Sequence, residues 1–307
     1  LTKAGIEETR GNQSTADALL INVGDSNSPE SPEALIQFVN NRLDDGEDVP
    51  AEIALLIESY AFELRGNPLS KDLLRAHVIA SAKSDQFSKA FTIIKKSIAL
   101  QERELKGDLQ SYVFDELVKN ADDLIFLEYT FRELPNPPEN LHSNVILQVA
   151  DRMLRLGFAR EAKTMLIGLE RPTQSREARL LSARASIAMN EPEAALELLL
   201  ALDGKDVFNL RAEALSLLGD NSSAHSLFSS VDRPEAAART AWLSSDWTDL
   251  TSTEAPIFGD IRILTTEVLD PIAVENGMLA SSRTALGESA QARDVIEDLL
   301  LDLSISE

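Results

Sequence analysis

Apolar residues recur along this chain with the 3.6-residue period of amphipathic helices, and between Val145 and Val231 a helix-turn-helix pattern repeats three times. In the first copy Ala150 sits in the first helix and Gly157 closes it; Ala162 and Leu166 lie in the second helix. Ala183, Asn190, Ala195 and Leu199 hold the same places in the next copy, and Ala212, Gly219, Ala224 and Phe228 in the third. From Ala162 to Ala195 is 33 residues and from Ala195 to Ala224 is 29, so the period is nearly constant. The small residues let antiparallel helices approach closely, the large one fills the gap to the next pair, and the turn glycine takes the positive φ that ends a helix.

This spacing resembles the tetratricopeptide repeat over about 145–231, with weaker copies on both sides. The resemblance implies an all-α, right-handed superhelical solenoid of antiparallel helix pairs, whose first helices line a concave groove. Carried over position by position, the groove would take Asn144, Leu147, Asp151 and Leu154 from the first copy. The second copy supplies Glu177, Leu180, Arg184 and Ile187, and the third Asp206, Asn209, Glu213 and Ser216. A mixed apolar and charged surface suits an extended peptide or a partner's helix. It lacks the several Lys and Asn of the family's carboxylate-clamp grooves, which disfavours chaperone C-termini as partners.

The rest of the chain divides into three regions. Residues 1–31 are polar and poorly periodic, apart from Ala16–Val23, which the pattern makes a short helix or an extended segment docked on the solenoid. Residues 32–134 form an N-terminal helical region, opened by Ser31-Pro32-Glu33 with proline at the first helical turn. Here Asp85, Ala90 and Ile94 fit the turn, alanine and large-apolar places. A helix over 86–104 would put Phe87, Ala90, Ile94 and Ile98 on one stripe. Pro135-Asn136-Pro137-Pro138 is the strongest internal break, and the C-terminal repeats follow over 139–303. The last pair carries Ala280, Gly287, Ala292, Ile296 and Leu299.

Composition narrows the function classes. A net charge of −22 repels phosphate backbones and anionic lipid heads, which argues against nucleic-acid binding. Two stretches run the other way: 71–106 and 151–184 each hold eight basic against four acidic residues, as solvated helix faces or as patches that meet acidic groups of a partner or of this chain. The absence of cysteine excludes disulfides, thiolate catalysis and cysteine-ligated zinc. No apolar run reaches the ~18 residues of a membrane-spanning helix. The start at Leu1 rather than Met, with the missing cysteines and the acidity, leads to the expectation of an exported or periplasmic bacterial protein, with a cytoplasmic one as the alternative.

Signals for catalysis are weak. His77, His142 and His225 lie far apart, none with a partner at i+3 or i+4 for a metal pair. The loop 41–52 places Gly46 and Glu52 as a calcium loop would, but Leu43 stands where an oxygen ligand is required. Adjacent carboxylates such as Asp122-Asp123 do not face one another on a helix, and no phosphate loop, nucleophile elbow or metalloprotease motif is present. We therefore expect no catalytic residue, metal or cofactor. The expectation is a protein-protein interaction scaffold, for example in a bacterial envelope, secretion or motility assembly. Two alternatives are a groove filled by the N-terminal segment Ala16–Val23 and a domain binding a small ligand or carbohydrate around Trp242, Trp247 and Phe258.

Overall fold

The structure, a computed structural model, describes residues 1–64, 66–134, 140–169 and 175–244 together with Arg293. Among these the secondary structure is entirely helical, and no helix is long and apolar enough to cross a membrane. Two compact units divide at Leu181/Ser182. The first contains α1 (Thr2–Thr9), α2 (Gln13–Gly24), α3 (Ser31–Asp45), α4 (Ala51–Glu63) and α5 (Ser70–Lys83), then α6 (Phe87–Lys96), α7 (Arg103–Asn120), α8 (Asp123–Glu133), α9 (Ser143–Arg155) and α10 (Ala159–Leu166). The division falls within α11 (Arg176–Ala188), which leads to α12 (Pro192–Leu199), α13 (Lys205–Leu217), α14 (Asn221–Ser230) and α15 (Pro234–Leu243).

One turn joins helix to helix at six places. Gly11, Asp85, Gly157, Asn190, Gly219 and Asp232 all have positive φ, between 58° and 86°. The next residue (Asn12, Gln86, Phe158, Glu191, Asp220 or Arg233) repeats a single conformation, φ −79° to −115° and ψ 52° to 71°. Its N–H donates five residues back to a carbonyl of the helix just ended, at 2.8–3.1 Å, as Phe158 does to Met153. Its own carbonyl accepts the N–H of the alanine four residues on, as Phe158 does from Ala162. One residue thus satisfies an orphan group of both helices.

The side chains around the turn follow the same register. The alanine five residues beyond it is buried in every copy: Ala16, Ala90, Ala162, Ala195, Ala224 and Ala237. Four further on lie Leu20, Ile94, Leu166, Leu199, Phe228 and Ala241, again buried. Seven before the turn come Ala4, Val78, Ala150, Ala183 and Ala212, all buried, while the sixth copy has the half-buried His225, whose Nδ1 lies 2.7 Å from the Ala237 carbonyl. In that sixth copy α14 serves twice, closing one pair with α13 and opening the next with α15.

Three features add to or change the expected pattern. Within residues 1–31, α1 and α2 form a helical hairpin around Gly11; Ala16 and Leu20 are fully buried, and Leu20 shares a core with Leu35 and Phe38. Of the two forms expected for Ala16–Val23, the helix is the one observed, within α2. The helix expected over 86–104 stops after Lys96, because Ser97 turns extended (ψ 117°) and the Gln101 amide donates to the carbonyls of Ile94, Lys95 and Ser97. Ile98 consequently leaves the apolar stripe and is 90% exposed. Finally, one core runs from Phe114, Leu117 and Phe126 to Val145, Val149 and Met153, so the helices on both sides of 135–138 belong to the first unit. Residues 135–138 themselves, Trp247, Phe258 and the expected last pair from Ala280 to Leu299 lie outside the described residues.

Because a Cβ on Gly157 would meet nothing within 4 Å, Gly157→Ala tests the backbone alone. We expect it to lower the unfolding free energy by about 1 kcal/mol in urea denaturation. Asp85→Gly, at an exposed position of the same φ class, is expected to leave stability unchanged or raise it.

Candidate functional site

The expected groove residues sit on the first helices of the repeating pairs, beside the buried stripes rather than within them. On α9, Val145, Ile146, Val149, Ala150 and Met153 are buried. Alongside them Leu147, Asp151 and Leu154 are half-buried and Asn144 is exposed. On α11, Leu180, Arg184 and Ile187 are half-buried and Glu177 is exposed; on α13, Asn209, Glu213 and Ser216 are half-buried and Asp206 is exposed. These side chains flank the packing face, as a lateral contact surface requires, and they are spread over both units. Asn144, Leu147, Asp151 and Leu154 belong to the first, and Asp206, Asn209 and Glu213 to the second.

Several of the polar members already have partners within the chain. Asp151 pairs with Arg155 one turn on, at 3.2 Å. The Asn209 amide donates to Glu213 at 2.7 Å, while its oxygen accepts from Arg233 at 3.1 Å, which makes a three-residue polar string on the α13 face. Leu147 and Leu154 give α9 half-buried apolar area beside Asp151, and Leu180 and Ile187 do the same on α11. Each of these helix faces thus combines half-buried apolar area with charge. They offer no paired nucleophile and base.

Part of each basic stretch is used within the chain, an outcome that the one-dimensional pattern left open. Lys71 pairs with Glu102, Lys83 with Glu116, Lys89 with Glu58 and Lys95 with Glu133, so the acidic partner is this chain itself. The Lys83–Glu116 pair is nearly buried and spans 3.2 Å. Arg152, next to the expected groove residue Asp151, is also committed. Its guanidinium donates to the carbonyls of Leu117, Val118 and Ala121 and to Asp123, capping the end of α7, and lies 4.5 Å from the Phe126 ring centroid. Arg211 does the same for the carbonyls of Leu199 and Leu202 after α12. No periodic signal marks either arginine, because their targets lie in other elements.

The histidines fall into three settings. His142 Nε2 lies 2.8 Å from Asp108 at an exposed site, and His225 is bound to a carbonyl as described. His77 on α5 is buried, and its Nε2 has no hydrogen-bond partner. Burial, and then the Lys89 charge, pull its pKa down to about 4. Near it, the hydrogen bond from Lys89 holds the Glu58 carboxyl below its ordinary value. Among the described residues no group of three or more His, Asp or Glu is placed to hold a metal ion. In the loop 41–52, residues 41–45 are helical, and Arg42 is taken up by Asp17 and Glu47.

No family model, curated protein or solved structure matches the chain. The likeness to tetratricopeptide repeats therefore rests on the residue positions described above.

His77 sets a pH dependence. Its folded pKa lies below the unfolded value of ~6.5, so the unfolded chain takes up the proton first and stability falls as pH drops. The contribution is intact above about pH 6.5 and is lost progressively down to about pH 4, up to roughly 3 kcal/mol. We expect His77→Leu to flatten the plot of unfolding free energy against pH in that window, measured by urea denaturation at each pH.

Proposed function

We propose that this chain is a non-catalytic scaffold, built of tetratricopeptide-like helix pairs, that holds a segment of a partner protein against the faces of its first helices. One observation carries the reading: the same turn recurs six times and sets each first helix in the same register. Half-buried apolar and charged side chains then recur on α9, α11 and α13 beside the packed stripe. Helix faces fixed by the same turn within each unit suit partner binding because little local ordering is needed there. Specificity would come from charged members such as Asp151, Arg184 and Glu213, with Leu147, Leu154 and Ile187 supplying apolar contact.

The test is affinity capture from the native extract with the unaltered chain as bait and, in parallel, the double variant Asp151→Arg, Arg184→Glu. Circular dichroism should show equal helix content in the two baits. We expect a discrete partner that binds the unaltered chain and is lost, by about tenfold or more, with the variant. Equal capture by both would remove the first-helix face as the binding surface. No capture by either would count against the scaffold reading.

A further inference from the structure

A second surface is built by elements other than α9, α11 and α13. Between the end of α2 and the first half of α4 lies an open groove of about 560 Å³. Ile21, Pro50, Leu55 and Leu56 give it an apolar lining, and Asp25 and Glu52 stand among them. We propose that this groove docks a cationic amphipathic helix from a partner protein.

The walls are held in place. The Tyr60 hydroxyl of α4 donates to the Gly24 carbonyl at the end of α2 across 3.1 Å, in a buried setting. The Ser31 hydroxyl, fully buried at the start of α3, donates to the Val23 carbonyl at 2.7 Å. Gly24 itself sits hard against α3, since a Cβ there would lie 2.6 Å from Leu35 Cδ2. A groove braced in this way needs little rearrangement to accept a ligand.

Its shape and lining fit a helix. Glu52, Leu55, Leu56 and Ser59 of α4 follow the i, i+3, i+4, i+7 spacing of one helix face. That stripe is about 10 Å long, enough for roughly two turns of a partner helix laid along it. Leu55 is 59% exposed, a large apolar side chain left in water in the free chain. An anchor of this kind wants an apolar side chain across from it.

Charge selects the kind of helix. Residues 25–63 carry ten acidic side chains and one basic one, Arg42. That arginine is already held by Asp17 at 2.8 Å and by Glu47. Four of the five lysines of α5 and α6 are matched by glutamates of the same chain, but among the described residues no ion pair reaches Asp25 or Glu52. The groove is thus an apolar strip inside an uncompensated negative field. That field attracts a helix with leucine-like residues on one face and Lys or Arg along its flanks, and it repels anionic partners.

The probe is a short amidated Leu/Lys amphipathic peptide, titrated into the full chain carrying labelled Ile and Leu methyl groups. Its Leu/Glu counterpart is the control. At about 150 mM salt we expect saturable shifts at Ile21, Leu55 and Leu56, none at Leu124 on α8 (81% exposed), and no binding of the Leu/Glu peptide. Leu55→Ser and, separately, Asp25→Lys with Glu52→Lys should each weaken binding by about tenfold or more. All three positions are exposed, so both variants should keep the helix content of the unaltered chain.

Four results would overturn the proposal. In the first, both variants bind within about twofold of the unaltered chain. In the second, shifts spread to Leu124 and disappear at about 150 mM salt, the signature of diffuse attraction to an acidic surface. In the third, the Leu/Glu peptide binds as well as the Leu/Lys one. In the last, sedimentation reveals dimers that Leu55→Ser dissociates, which would give the groove to a second copy of the chain.

Discussion

The bridging residue after each left-handed turn residue is the constraint on which the helix pairs depend. Its N–H closes the helix behind it and its carbonyl opens the helix ahead, so two helix ends that would each leave polar groups unsatisfied are completed together. With that hinge set, the positions of contact follow. The alanine five residues after the turn residue is buried in all six copies, and the residue seven before it, alanine in four copies and Val78 in a fifth, is buried in five. A larger side chain at either would push the helices apart, since close helix approach depends on small residues at the contact. Glycine serves the turn without strain. Asp85, Asn190 and Asp232 serve it at some cost, with the short polar side chains that tolerate the left-handed region best.

A second layer of order comes from charge. The chain is strongly acidic, yet Lys71, Lys83, Lys89 and Lys95 of α5 and α6 are matched to glutamates on α4, α7 and α8 and to Glu102 at the start of α7. Exposed pairs of this kind contribute little stability each, but they spend the chain's positive charge locally. Lys83 with Glu116 is different, because burial makes losing either partner costly. Arg152 and Arg211 likewise go to helix carbonyls. What is left over is an excess of carboxylates around the α3–α4 turn.

Function on such a molecule is a matter of faces. The repeated turn gives each first helix a packed stripe and, beside it, half-buried side chains that water reaches and a partner can cover. On α13 the string Arg233–Asn209–Glu213 holds its polar groups in fixed orientation before any partner arrives. Preorganised polar groups beside apolar area suit selective contact.

Much of this was legible in the residues, for a local reason. Turn residue, alanine and large apolar residue are tied together by hydrogen bonds within nine positions, so their spacing at Gly157, Asn190, Gly219 and Asp85 shows in one dimension. The copies at Gly11 and Asp232 obey the same geometry but were missed: α1 buries only Ala4, and the last copy has alanine where a bulky side chain marks the others. The end of α6 was missed because it hangs on a Gln101 side chain several residues away. The sequence by itself determined the helical class, the pairing register and the acidity, all written in neighbouring residues. Only the tertiary structure decided which charges are used up and which remain. Lys71–Glu102, Lys89–Glu58 and the arginine cap on α7 each join residues about thirty positions apart, and no local pattern records such a meeting.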